Sequence, residues 1–185
     1  MCIRDRSPTV PALVHAAGKR AVMVVGKDKF QQLNVGSNDG YVCALRGDDD
    51  VANEAIVQVA NGFDFLFAHF PQVDMVGHVS GWMSPEYLAQ LRQTDAALSR
   101  LFASLPAGTT IIVTADHAGQ LKSHGTQQKL DVTIPWIVAG PRVVRRGLLT
   151  KPVRVVDNAA TVLGLLGLPA PRDAVGRMIS EPFEP

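Results

Sequence analysis

Phe63 to Gly81 reads FDFLFAHFPQVDMVGHVSG, and the change of character at Pro71 decides how the chain folds. Before the proline, Phe65 to Ala68 form an apolar run with the length and aromatic content of a strand. After it come Asp74, Gly77 and His78, residue types that serve chemistry better than sheet packing. A second apolar run, GTTIIVTA from Gly108 to Ala115, leads into TADHAGQLKSHGT, Thr114 to Thr126, which holds Asp116, His117 and His124. Between them lies SPEYLAQLRQTDAALSRLFASL. It reads as a helix with Ser84 as cap, Pro85 in the first turn and Leu88, Leu91, Leu98, Leu101 and Leu105 as its apolar stripe. Asp95 interrupts that stripe and is expected to be hydrogen-bonded beneath the site or to a helix end. Phe63 to Ala115 thus predicts a strand, helix, strand unit with parallel strands and a right-handed crossover.

The same alternation continues in both directions. TVPALVHAAG reads as a short helix, RAVMVVG as a strand, GSNDGYVCAL as a turn and then an extended segment, and DDVANEAIVQVAN as a helix with acidic residues in its first turn. TIPWIVAG reads as a further buried strand and VVDNAATVLGLLGL as a last helix. Apolar strands alternating with helices define an α/β fold with a largely parallel sheet and helices on both faces. Ligands of such sheets collect at the carboxyl ends of the strands, where the two Asp/His loops fall.

Composition narrows the function. The 185 residues are 46% hydrophobic, enough for one real core. A net charge of +1 with interspersed signs gives no footprint for a nucleic-acid polymer. The basic group Arg142, Arg145 and Arg146 reads as a solvated loop. Cys2 and Cys43 are too few for a disulfide scaffold or a thiolate zinc site, and Cys43 reads as a small buried residue. No apolar run is long enough to span a membrane. Gly26-Lys27 follows a strand without the remainder of a phosphate loop, so Lys27 and Lys29 are expected in solvent.

Asp74 and His78, one helical turn apart, can converge on a cation, or serve as a capping carboxylate and a surface imidazole. Asp116 and His117 can meet one ion only if the chain turns between them, since neighbours in an extended segment point apart. His69, at the end of its strand, reads as packed against neighbours. Taken together, two carboxylates and three imidazoles suit zinc, and also manganese or iron. Five ligands exceed one closed zinc site and suggest two divalent ions sharing a substrate oxygen. The competing reading is a non-catalytic α/β domain with incidental histidines.

DMVGH, TADHAG, SHGT and TIPWIVAGP, followed by VVDNAATVLGLLGLPAPRDAVGRMI, resemble in that order the type I phosphodiesterase / nucleotide pyrophosphatase group of the alkaline phosphatase superfamily. The resemblance runs from about Thr9 to the carboxyl terminus. It implies a metal-dependent hydrolase of phosphate diesters, nucleotide pyrophosphates or related small phosphate esters, with two zinc ions. Asp74, His78 and His124 then correspond to ligands of the first ion, and Asp116 and His117 to ligands of the second. A sulfatase or phosphomutase relative on the same metal frame is the nearest alternative. The family's early aspartate and its Thr or Ser nucleophile match no segment here, and MCIRDRS matches nothing in the family. Residues 1–8 are therefore expected to be an artefact or disordered, and residues 9–185 to be the later part of one hydrolase domain, inactive alone. The start lacks an apolar signal region, which says nothing about export if the true amino terminus is missing. Ala118, Gln120 and Leu121 depart from a glycine- and histidine-rich pattern at these positions.

Overall fold

The structure, a computed structural model, describes residues 8–34, 39–145 and 147–184. Its centre is β1 (Ala21–Val25), buried at every position. It is flanked in parallel by β2 (Tyr41–Cys43) and β3 (Phe65–His69), in the order β2-β1-β3. Val22 and Val24 face α2 (Asp48–Ala60) through Val51 and Ala55, and Leu101 of α4 (Pro85–Ser104) packs with them. Ala21, on the opposite face, packs against Val14 of α1 (Val10–Ala16) and Leu163 of α6 (Asp157–Leu165). This alternation is the period of a strand with helices on both sides. Each buried valine contributes about 1.5–3 kcal/mol relative to exposure.

The α/β class with helices on both faces is as expected, but the unit from Phe63 to Ala115 differs. β4 (Ile111–Thr114) does not pair with β3; it pairs antiparallel with β5 (Trp136–Ala139) as a separate two-stranded sheet. Both strands are only partly covered, and Ile137 is exposed. The chain between β3 and β4 holds two helices rather than one, because PQVDMVGHVSG is not a loop: α3 spans Gln72–Ser80.

Ser84 caps α4 as expected, its hydroxyl accepting from the backbone N–H of Tyr87 at 3.1 Å. The buried face of α4 is Gln90, Thr94, Ala97 and Leu101, so only Leu101 of the leucine stripe is buried. Leu91 and Asp95 are exposed, so the expected hydrogen-bonding role of Asp95 beneath the site is not seen. The reason is polar. Thr94 donates to the carboxylate of buried Asp48, and Gln90 donates to Thr94. Ala97, fully buried, continues this face toward Leu101.

Asp157, fully buried at the start of α6, accepts from the backbone N–H groups of Arg154 and Arg177 and from the Arg154 guanidinium. Burial alone would raise its carboxyl, but these donors lower it to about 2. The folded value lies below the ordinary one, so this stabilisation is complete above about pH 4 and is lost as pH falls through about 2. Asp157→Asn should remove about 2 kcal/mol at neutral pH and flatten the acid limb of stability, read by urea unfolding at several pH values.

Cys43 is half-buried on β2. Arg142 donates to the Leu165 carbonyl and Arg145 lies 3.7 Å from Glu181, while Arg146 and residues 1–7 lie outside the described residues. No helix among the described residues is long and apolar enough to cross a membrane.

Candidate metal centre

The register of the parallel sheet ends its three strands level, at Cys43, Val25 and His69. The chain leaves β3 into Phe70 and Pro71 and enters α3 directly, which places Asp74 and His78 one turn apart on the same helix face. Gln72 anchors that helix. Its backbone N–H donates to Asp48 at 3.1 Å, and its side chain accepts from the Asp48 N–H at 2.6 Å.

The second group arrives from β4. A bend at Asp116 supplies the turn that the adjacent Asp116 and His117 require, and Asp116 Oδ1 lies 3.7 Å from His117 Nε2. The following loop is fixed by Asp131 of α5 (Lys129–Val132), which is buried. Its carboxylate accepts from the N–H and hydroxyl of Thr126, and its carbonyl accepts from Ala118 N–H.

Three imidazoles converge on one carboxylate oxygen. Asp74 Oδ1 is 3.4 Å from His78 Nε2, 3.6 Å from His124 Nε2 and 3.8 Å from His117 Nε2. Asp74, His78 and His124 have ligand atoms all within 4.8 Å of one another. The His117 and His124 rings stack at 3.6 Å, and the Nε2 atoms of His78 and His124 are 3.1 Å apart. Asp116 is more open, with 66% of its side chain exposed, and it reaches the group only through His117.

The donor set fits a divalent cation on three counts. Asp74 Oδ1 is buried without a hydrogen-bond partner, an arrangement that costs stability unless something positive faces it. His78 Nδ1 donates to the Lys122 carbonyl at 3.1 Å and His117 Nδ1 to the Ala118 carbonyl at 3.0 Å. A carbonyl only accepts, so each neutral ring carries its proton on Nδ1 and turns an Nε2 lone pair toward Asp74. Burial, with the His117 imidazole alongside, also holds His124 below the usual histidine range.

Lys27 is not in solvent. Its ammonium donates to Asp74 Oδ2 at 2.7 Å. Burial pulls the Asp74 carboxyl upward, but Lys27, with His78 and His117 beside it, keeps the group below its ordinary value. Lys27 follows β1 and Asp74 follows β3; nothing in the local sequence pairs them, and only the level strand ends bring them together. Lys29 is exposed, above the Phe30 ring. His69 packs against Phe30 at 4.3 Å, as read from sequence. Burial and nearby Lys27 lower it to about 4, and its Nδ1 has no partner. An open cleft of about 580 Å³ begins at Asp116 and His117 and is also lined by Thr126, Thr133 and Arg154.

The α/β fold is that of the alkaline phosphatase superfamily, whose members use divalent metals; here it brings Asp74 and His78, which follow the parallel sheet, up to Asp116, His117 and His124, which follow the separate β4-β5 pair. The type I phosphodiesterase / nucleotide pyrophosphatase family matches residues 27–131, more than half of the chain, and the protein belongs to that family. The human GPI ethanolamine phosphate transferase 2 catalytic subunit is 31% identical over 128 residues, 63% of this chain and 13% of that protein. The 2,3-bisphosphoglycerate-independent phosphoglycerate mutase of Rhodopirellula baltica is 30% identical over 146 residues, 72% of this chain and 25% of that protein. The chain therefore spans a quarter or less of these two relatives. A putative sulfatase from Bacteroides thetaiotaomicron shares the fold with a TM-score of 0.67 at 17% identity, covering 95% of this chain and 56% of that one.

Proposed function

We propose that the chain carries the metal-binding part of an enzyme that hydrolyses phosphate diesters, nucleotide pyrophosphates or related small phosphate esters. Two divalent cations would serve it, zinc first, with manganese or iron as the other ions the donors suit. The observation that carries this reading is the buried, unpartnered Asp74 Oδ1 with three imidazole Nε2 atoms within 3.8 Å. Asp74, His78 and His124 would hold one ion, and Asp116 and His117 would contribute to the second. Bound there, the ions would supply positive charge to the phosphoryl oxygens and the leaving group.

The chain's own residues do the rest of the arranging. The Lys122 and Ala118 carbonyls keep His78 and His117 protonated on Nδ1, and Lys27 keeps Asp74 ionised with Oδ1 free. The cleft beside Asp116 has the volume of a small-ligand site and gives the leaving group a place. The attacking Thr or Ser implied by the family resemblance matches no segment of the 185 residues, so turnover by this chain alone should be negligible.

Zinc titration by calorimetry, with metal content measured by plasma mass spectrometry, tests the reading. About two equivalents are expected, falling to about one in Asp116→Ala/His117→Ala. In a longer protein containing this chain, hydrolysis of bis(4-nitrophenyl) phosphate should exceed that of 4-nitrophenyl sulfate and be lost in the same double variant. Unchanged zinc content and hydrolysis there would sink the reading. The matches to a mutase and a transferase favour a second outcome of the same assay, transfer of the phosphoryl group to an alcohol rather than to water.

A further inference from the structure

The residue that touches the metal centre from outside, and that neither motif nor charge singles out, is Trp82. Its ring stands edge-on to His78 (5.1 Å between centroids, 86° between planes) and to His124 (5.8 Å, 74°), separations at which aromatic edges attract. The indole also lies directly on two backbones. A Cβ at Gly77 would stand 2.8 Å from Trp82 Cε2, and one at Gly119 would come closer still. Gly77 belongs to α3, beside His78, while Gly119 belongs to the loop between His117 and His124. One side chain therefore joins the two segments that supply the ligands.

The backbone is committed to this placement. Trp82 N–H donates to the Leu121 carbonyl at 2.7 Å. Among the described residues, the two non-glycine positions with positive φ are Met83 (67°) and Leu121 (51°), one next to Trp82 and the other its hydrogen-bond partner. Such conformations persist where surrounding contacts over-determine them. His124 most needs the contact. His78 and His117 are oriented by carbonyls at Nδ1, whereas no such bond to His124 Nδ1 is present among the described residues, so ring packing sets its orientation.

We propose that Trp82 is a positioning residue of the metal centre: by lying on Gly77 and Gly119 and edge-on to both imidazoles, it orients His78 and His124 for a shared cation. This rests on the metal-binding reading above, and deepens it. The test is cobalt(II) titration of the chain, followed by the visible d–d absorption band and by tryptophan emission. A Trp136→Phe background leaves Trp82 as the sole indole, since the sequence has two.

Trp82→Ala should weaken cobalt binding about tenfold or more and alter the band, the size of effect that ligand-orienting partners exert. Trp82→Phe, which keeps an aromatic edge, should return most of the affinity and the band. Gly119→Ala, at a position without positive φ, should displace the indole and reproduce the loss. It should add nothing in the Trp82→Ala background, where its methyl has room. Circular dichroism melts identify any variant that fails to fold, and if Trp82→Ala does, Gly119→Ala decides. Cobalt affinity and band unchanged in Trp82→Ala and Gly119→Ala, with the parent chain binding normally, would overturn the role of Trp82 alone. No cobalt binding by the parent chain would overturn the metal centre and this role together.

Discussion

Replacing Asp74 by alanine should weaken zinc binding by the chain at least about 100-fold, more than the loss of any single orienting partner. In a longer protein that turns over phosphate esters it should lower kcat/KM by about a thousandfold or more, since a metal's charge is worth several kcal/mol in the transition state. Asp74 is singled out because its Oδ1 is the atom on which three imidazole Nε2 atoms converge. Asp74→Asn separates function from structure. It keeps the volume and an oxygen for Lys27 but discards the charge that two or three neutral imidazoles cannot supply. Oδ1 is already unpartnered and the Lys27 pair is partly exposed. The metal-free asparagine variant should therefore unfold within about 1 kcal/mol of the parent while binding zinc as poorly as the alanine variant. Calorimetric titration and urea unfolding of the two variants check both statements, and a metal-free asparagine variant that fails to fold would make Asp74 a structural residue first.

Asp48→Ala should be the most damaging single change to stability, about 3 kcal/mol or more by urea unfolding. Asp48 is 2% exposed, and its carboxylate receives the Thr94 hydroxyl and the Gln72 N–H while its own N–H is held by Gln72. Truncation would strand the buried Thr94 hydroxyl and the half-buried Gln72 N–H and leave a cavity where α2, α3 and α4 meet. Burial raises the Asp48 carboxyl above its ordinary value, although Thr94 and Gln72 work against the shift. A raised folded value means that ionising Asp48 costs stability as pH rises through it, so the neutral amide of Asp48→Asn should cost less than alanine, about 1 kcal/mol. The site should register the change as well. Gln72 opens the helix that carries Asp74 and His78, so zinc affinity should fall in Asp48→Ala and recover in Asp48→Asn. Zinc affinity unchanged in the alanine variant would show that α3 is held elsewhere.

Local sequence carried a good deal of this. Ser84 and Pro85 announce α4 because capping and the missing N–H of proline act within one turn. The strand of Ala21–Val25 is legible because an unbroken apolar run has only one use when both faces are covered. The leucine stripe of α4 misleads because Leu101 alone of it is buried, with Gln90, Thr94 and Ala97 completing the buried face, and Asp48, which receives the Thr94 hydroxyl, lies 46 residues away. The helix of Gln72–Ser80 was hidden because a glycine and a histidine within nine residues lower helix propensity, while the hydrogen bonds that start it come from Asp48.

By itself, then, the sequence determined which residues have the chemistry to bind a cation, in what order they occur along the chain, and that a parallel α/β sheet would form. Those are properties of residue type and short spacing. The sequence put the two Asp/His segments on neighbouring strands of one sheet, whereas β3 and β4 belong to separate sheets. Tertiary structure alone decided that Asp74 turns Oδ1 to the imidazoles and Oδ2 to Lys27, that β4 runs antiparallel with β5, and that Trp82 meets both Gly77 and Gly119. Each depends on the approach of segments tens of residues apart. No periodicity encodes such approaches; the packing that closes the core creates them.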